Sequence, residues 1–103
     1  ASHPKRPTAF FADNDMIALG AMRAFWDAGI RVPEDVSVVG FDDLPYSAIS
    51  TPPLTTLRVP KQEMGRAAVR RLMEISQEEE PVCIKTQICP QFIMRESVRT
   101  LKP

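Results

Sequence analysis

The sequence has no surplus of either charge sign: 13 Lys and Arg balance 13 Asp and Glu, for a formal net charge of zero. A module that grips nucleic acid carries a basic stripe that releases counterions from phosphates. These residues by themselves are therefore expected to bind DNA or RNA poorly. No apolar run approaches the roughly 20 residues that span a bilayer, and the opening residues 1–7 have no apolar signal-peptide core. Cysteine and histidine are scarce. A zinc site needs more ligands than Cys83, Cys89 and the sequence-distant His3 provide. If the segment between the two cysteines is one strand, their even spacing puts both on one face, too far apart for a disulfide. Both are expected to be reduced thiols, which fits a cytoplasmic location. A Gly-rich phosphate loop, a Ser/His/Asp arrangement and a metalloprotease motif are all missing. The reading is accordingly of a non-enzyme with no catalytic residues, no cofactor, no metal and no membrane partner.

What is present is an ordinary globular composition, 44% hydrophobic over 103 residues, enough for one small domain. Thr8–Ala12 is a short apolar run that reads as a buried strand. Residues 13–15, Asp-Asn-Asp, supply helix-capping chemistry. A helix is predicted from Met16 to Ala28, with Ile17, Leu19, Met22, Phe25 and Trp26 on a broad apolar surface. Phe25 and Trp26 are expected in the core rather than as a stacking platform. Gly29 stands where a helix end favours a positive φ. Val36–Phe41 is nearly continuous in apolar character, which suits a parallel strand covered on both faces. Strand, helix, strand over this length predicts a βαβ unit with a right-handed crossover.

Leu44–Pro53 is expected to be a loop, and Leu54–Val59 to be extended. Pro60 suits the first turn of a helix, in which Met64, Ala68, Leu72 and Ile75 recur at helical spacing. Arg66, Arg70 and Arg71 read as a solvated face or part of a subunit contact. The acidic turn Glu78–Pro81 ends that helix, and Val82–Cys89 and Phe92–Met94 are expected as strands separated by Pro90. Internal repeats and low-complexity tracts are absent.

Polar residues cluster just past the two parallel strands: Asp13, Asn14 and Asp15 after the first, Asp42 and Asp43 after the second. Open α/β sheets bind ligands outside the carboxyl ends of their strands. Asn offers a donor and an acceptor, and an ionised Asp strong acceptors. That set suits sugars or purine-like heterocycles. The competing reading is that Asp and Asn here cap and turn the chain, especially Asp13 and Asp15. A further alternative is the carboxylate cluster of a magnesium-dependent phosphotransferase, although no nucleophile and base accompany it.

Residues 11–21 (Phe-Ala-Asp-Asn-Asp-Met-Ile-Ala-Leu-Gly-Ala) and 29–43 (Gly-Ile-Arg-Val-Pro-Glu-Asp-Val-Ser-Val-Val-Gly-Phe-Asp-Asp) together resemble LacI-type transcription regulators. Residues 52–58 (Pro-Pro-Leu-Thr-Thr-Leu-Arg), Met64-Gly65, Ala68, Leu72, Pro90 and Arg95-Glu96-Ser97 continue the resemblance, which spans residues 7 to 98. It implies an α/β, periplasmic-binding-protein-like (type I) core fragment: a parallel βαβ unit, a crossover helix and C-terminal strands. Within residues 1–103, it implies that 7–50 and 82–98 belong to the C-terminal subdomain and 54–78 to the crossover into the N-terminal subdomain, with a hinge between them that moves on ligand closure. Asn14 and Asp42 match effector-binding positions; Asp13, Asp15 and Asp43 are supporting candidates, Asp15 for the helix start. The expected ligand is a sugar or nucleoside-like effector, with DNA bound only through a headpiece absent from these residues. The chain is expected to be a truncated or proteolytic piece that hides its open edges by homodimerisation or other self-association. A periplasmic sugar-binding protein of a transport system shares the fold and stands as the alternative.

Overall fold

The computed structural model describes residues 6–101; His3, considered above as a metal ligand, lies outside the described residues. The predicted βαβ unit is present. Strand β1 (Ala9–Phe11) pairs in parallel with β2 (Ser37–Val39), in the register Ala9–Ser37, Phe10–Val38 and Phe11–Val39. Ladder bonds extend the pairing to Thr8, whose carbonyl accepts from Ser37 N–H at 2.8 Å, and to Ala12, whose N–H donates to Val39 at 2.9 Å. Between them runs α1 (Asp15–Asp27). Its C-terminus closes with two nested bonds, Gly29 N–H to Trp26 carbonyl inside Ile30 N–H to Phe25 carbonyl. Gly29 makes this possible at φ 75°, where a side chain would be strained.

The buried core is small: Ala18, Met22, Ile30, Val36, Val38 and Leu54, with Ala12, Leu19, Phe25 and Val32 packed on its edge. Two expectations about apolar residues fail. Strand β1 is exposed along its length, because among the described residues it has a neighbour on one edge only. Trp26 is 73% exposed rather than core, while Phe25 packs against Phe10 with ring centroids 5.4 Å apart. Helical periodicity marks a broad apolar stripe, and the small sheet covers only its middle.

The expected loop at 44–53 contains a five-residue helix, α2 (Pro45–Ile49). Pro45 holds the first helical position, and Ser47 N–H donates to Leu44 carbonyl at 2.9 Å. Composition rich in Pro and Ser hid this turn. The chain then crosses out through β3 (Thr56–Arg58) and returns through β4 (Gln91–Ile93), which pair antiparallel as a two-stranded ribbon. Parallel bridges from Val39 to Thr55 and from Asp42 to Arg58 carry the ribbon alongside the end of β2.

Beyond the ribbon lies α3 (Lys61–Gln77), with Pro60 at its N-cap rather than inside its first turn. No residue of α3 is buried. The expected strand at 82–89 forms no regular secondary structure and pairs with no strand among the described residues. Ile84, Thr86 and Ile88 instead face Met64, Ala68, Leu72 and Ile75 of α3 across an open groove, and Arg71 donates to Val82 carbonyl at 2.6 Å. Cys83 and Cys89 are free thiols at the surface. The result is elongated, 61 × 28 × 24 Å, with a radius of gyration of 18.7 Å against about 13 Å for a compact chain of this length. It consists of a packed body and a projecting helical lobe.

Candidate ligand edge at the ends of two parallel strands

The register of β1 on β2 brings the two polar clusters to one edge. Asn14 and Asp42 each lie three residues past the last paired residue of their strand, Phe11 and Val39. The same edge is laced by backbone bonds, Asp15 N–H to Phe41 carbonyl at 2.9 Å and Asp42 N–H to Leu57 carbonyl at 2.8 Å. Within this edge the five candidate residues separate into different tasks.

Asn14 is the helix cap. Its Oδ1 accepts from Ile17 N–H at 2.9 Å with the backbone extended at φ −155°, so the capping role expected of Asp13 or Asp15 falls to the residue between them. An amide that caps through its oxygen still has its NH2 to donate. Asp13 is exposed, and Asp42 half-buried. Neither carboxylate has a side-chain hydrogen bond or ion pair among the described residues.

Asp15 is fully buried and saturated. Leu44 N–H donates to Oδ2 at 2.8 Å, Ser47 Oγ to Oδ2 at 2.5 Å and Thr56 Oγ1 to Oδ1 at 2.6 Å. Three donors, two from the start of α2 and one from β3, replace the water that the carboxylate gave up on folding, which is what makes a buried charge tolerable. The carboxylate packs so closely on β2 that a Cβ at Gly40 would overlap it and come within 2.9 Å of Leu54 Cδ2. Gly40 is thus required by close approach, not by its φ.

Asp43 is held by two arginines. Its side chain is 8% exposed, with Oδ2 2.8 Å from Arg58 Nε and Oδ1 2.7 Å from the Arg95 guanidinium. Burial pushes this carboxyl upward, but the hydrogen bonds and charges of Arg58 and Arg95 outweigh it and hold the group below the ordinary aspartate value. Both Asp42 (φ 122°) and Asp43 (φ 60°) sit at positive φ. That turn is costly for residues with a Cβ, and Asp is among the few types that accept it.

The sequence reading missed the buried hydroxyls. Ser97 Oγ donates to Val38 carbonyl at 2.5 Å and accepts from Thr55 N–H at 2.8 Å, while Thr55 Oγ1 accepts from Arg95 N–H at 2.9 Å. A serine or threonine in a polar stretch carries no signal of burial. Two hollows, of about 410 and 550 Å³, lie beside Met22 and Trp26 near the other end of α1 from Asn14. They are open surface depressions of mixed lining, with Arg23, Arg31, Glu34 and Glu96 beside the apolar residues, and share no lining residue with the polar edge. No cluster of three or more His, Cys, Asp or Glu that could hold a metal occurs among the described residues. No helix there is long and apolar enough to cross a membrane.

Comparison with known proteins fits this arrangement. The family of periplasmic binding protein-like domains matches residues 1–98. The HTH-type transcriptional repressor PurR of Haemophilus influenzae is 43% identical over 100 residues, covering 94% of this chain and 30% of the relative. A probable HTH-type transcriptional repressor, ExuR of Bacillus subtilis, is 40% identical over 98 residues, 95% of this chain and 29% of the relative. Among solved structures, a lac repressor dimer bound to operator and the anti-inducer ONPF superposes with a TM-score of 0.82 at 39% identity, over 89% of this chain and 32% of that one. A LacI family regulator from Arthrobacter in complex with lactose gives 0.80 at 34% identity, over 94% and 36%. The chain therefore spans about 30% of the length of the curated relatives it matches.

Proposed function

This chain belongs to the periplasmic binding protein-like domain family, and on that premise we propose that it is effector-sensing material of a LacI-type transcription regulator. The observation that carries the reading is the shared edge of Asn14 and Asp42. One parallel register brings an amide NH2 and a carboxylate with no side-chain partner among the described residues to the carboxyl ends of adjacent strands. A sugar hydroxyl or a purine-like ring edge satisfies both. Asp15 and Asp43 support the edge from beneath, and Asp13 flanks it. In the whole regulator the ligand sets the affinity of a DNA-binding headpiece, a coupling between two sites. The wider reading has the protein act as a homodimer in the cytoplasm and catalyse no reaction. Residues 7–50 and 82–98 are assigned to one subdomain and 54–78 to the crossover into the other, a division supported by the projection of α3 from the body.

The transport-protein alternative is disfavoured because the similar curated proteins are named as transcriptional repressors. The phosphotransferase alternative is disfavoured because two of its four carboxylates are already engaged: Asp15 is filled by three protein donors and Asp43 by two arginines.

The test uses the product of the complete reading frame that encodes these residues. Retention of operator DNA is measured against lactose and against hypoxanthine as probes. Asn14→Ala and Asp42→Ala are each expected to weaken the response to the active probe by about 1–3 kcal/mol, because each leaves polar ligand atoms unpaired. An undiminished response in both variants would remove the assignment of this edge.

A further inference from the structure

The ribbon is the only route between the body and the α3 lobe among the described residues, and one carboxylate reaches both of its strands. Alternation along a strand puts Leu54, Thr56 and Arg58 on one face of the outbound chain, and the pairing of Thr56 with Ile93 puts Ile93 and Arg95 on the same face of the return chain. That face is the one docked on the body: Leu54 enters the core, Thr56 binds Asp15, and Arg58 and Arg95 bind Asp43. Arg58 stands at the lobe end of the ribbon, opposite Gln91, and Arg95 beyond its other end. Arg95 is itself fixed to the outbound strand, with its guanidinium on Leu54 carbonyl at 3.0 Å and its N–H on Thr55 Oγ1 at 2.9 Å.

We propose that Asp43 is a positioning residue that spans the ribbon diagonally through Arg58 and Arg95 and so sets the angle at which the α3 lobe leaves the body. Two bonds at opposite ends of a two-stranded ribbon resist rotation in a way that one bond does not. Asp42, immediately before it, binds the ribbon through Leu57 carbonyl. A ligand on the Asp42 carboxylate would therefore act on the same two-residue turn, a consequence that rests on the effector reading. The mechanical role of Asp43 does not rest on it.

The chain carries its own ruler for this angle. Its single tryptophan, Trp26, is exposed on the body, and Cys83 is exposed on the lobe. With Cys89→Ser removing the second thiol, a dye on Cys83 reports the Trp26–Cys83 distance distribution by energy transfer, with no ligand present. Asp43→Asn is expected to broaden that distribution about twofold while far-UV circular dichroism is retained, because the unclamped joint then samples several angles. Arg58→Gln, which removes one arm of the clamp, is expected to broaden it by less. Arg31→Gln, which breaks the Arg31–Asp35 pair within the body, is expected to leave it unchanged. A purely structural ion pair lowers the melting temperature without widening the distribution. A folded Asp43→Asn chain with the original distribution would overturn the proposal. If Asp43→Asn fails to fold, Arg58→Gln and Arg95→Gln decide: broadening in either supports it, and unchanged width in both overturns it. Because the assay contains no effector, failure of the effector reading leaves this result standing.

Discussion

The body and the lobe are made of similar residues and meet opposite fates. Met22, Val38 and Leu54 are buried in the body, whereas Met64, Leu72 and Met73 of α3 stay open to solvent. Both α1 and α3 are amphipathic and both are long enough to form. What differs is the surface opposite. Helix α1 has a parallel sheet to pack against, while α3 has only the irregular segment 82–89, which lies across an open groove from it. An apolar stripe is a demand for a partner, and only the fold decides whether the demand is met. Polar groups follow the same division. In the body buried carboxylate and hydroxyls are hydrogen-bonded to protein; in the lobe the Arg66–Glu63 and Arg71–Glu74 pairs are helix-surface contacts at 3.0 and 3.1 Å, of the kind worth little to stability.

The contrast can be broken most forcefully at Asp15. Asp15→Ala leaves Leu44 N–H and the hydroxyls of Ser47 and Thr56 buried without an acceptor, and is expected to cost about 3–5 kcal/mol, measured by urea denaturation of the body. A loss below about 1 kcal/mol would mean that water enters and replaces the carboxylate. Next comes a matched pair of truncations. Leu54→Ala in the core is expected to cost about 2–5 kcal/mol, and Leu72→Ala on α3 less than about 0.5 kcal/mol, since that leucine is 66% exposed. Equal losses would show that the lobe is covered in solution by another copy. Smaller and of opposite sign is Gly65→Ala. A Cβ there meets nothing within 4 Å in mid-helix, so α3 should gain about 0.5–1 kcal/mol, seen as slower amide exchange confined to residues 61–77.

The smallest effect is the dependence on acid. Asp43 lies below its ordinary value, and Asp35 is held at about 2 by the hydrogen bonds of the Arg31 side chain and backbone. A depressed carboxyl adds stability that is complete above the unfolded value, about 4, and is lost as pH falls through the folded one. Denaturation midpoints should therefore hold steady from neutral pH to about 5 and then decline. Asp43→Asn should flatten that decline, while Asp35→Asn, at the surface, should change it less. An acid limb identical in Asp43→Asn and the parent would show that the clamp does not bear on unfolding.

Much of the body was legible because its signals are local. Short apolar runs, the Asp-Asn-Asp capping cluster at 13–15 and the glycine at 29 act over a few residues, and the βαβ unit followed from them, although the cap itself fell to Asn14 rather than to an aspartate. The candidate edge was legible as a cluster, through the rule that ligands gather at strand ends. The division of labour inside it was not. That Asp15 is saturated depends on Ser47 and Thr56, 32 and 41 residues away in sequence, and that Asp43 is clamped depends on Arg58 and Arg95. Long-range pairing leaves no trace in spacing. The failures at Trp26, β1 and 82–89 share one cause: apolar pattern reports that a surface wants cover, and covering is a property of the neighbour.

The close approach of Gly40 to Asp15 has a consequence for how this sequence can change. Gly40→Ala alone drives a methyl group into a carboxylate held by three donors, and Asp15→Ala alone strands those donors. Once the carboxylate is gone, however, the severest overlap is removed and the methyl has only the end of the Leu54 side chain to displace. The two substitutions should be strongly non-additive, with the double variant more stable than the sum of the single losses allows. Asp15, Gly40, Ser47 and Thr56 therefore form a single heritable unit: drift at any one is trapped until its partners move, and a lineage that changes one of them should carry a compensating change at another.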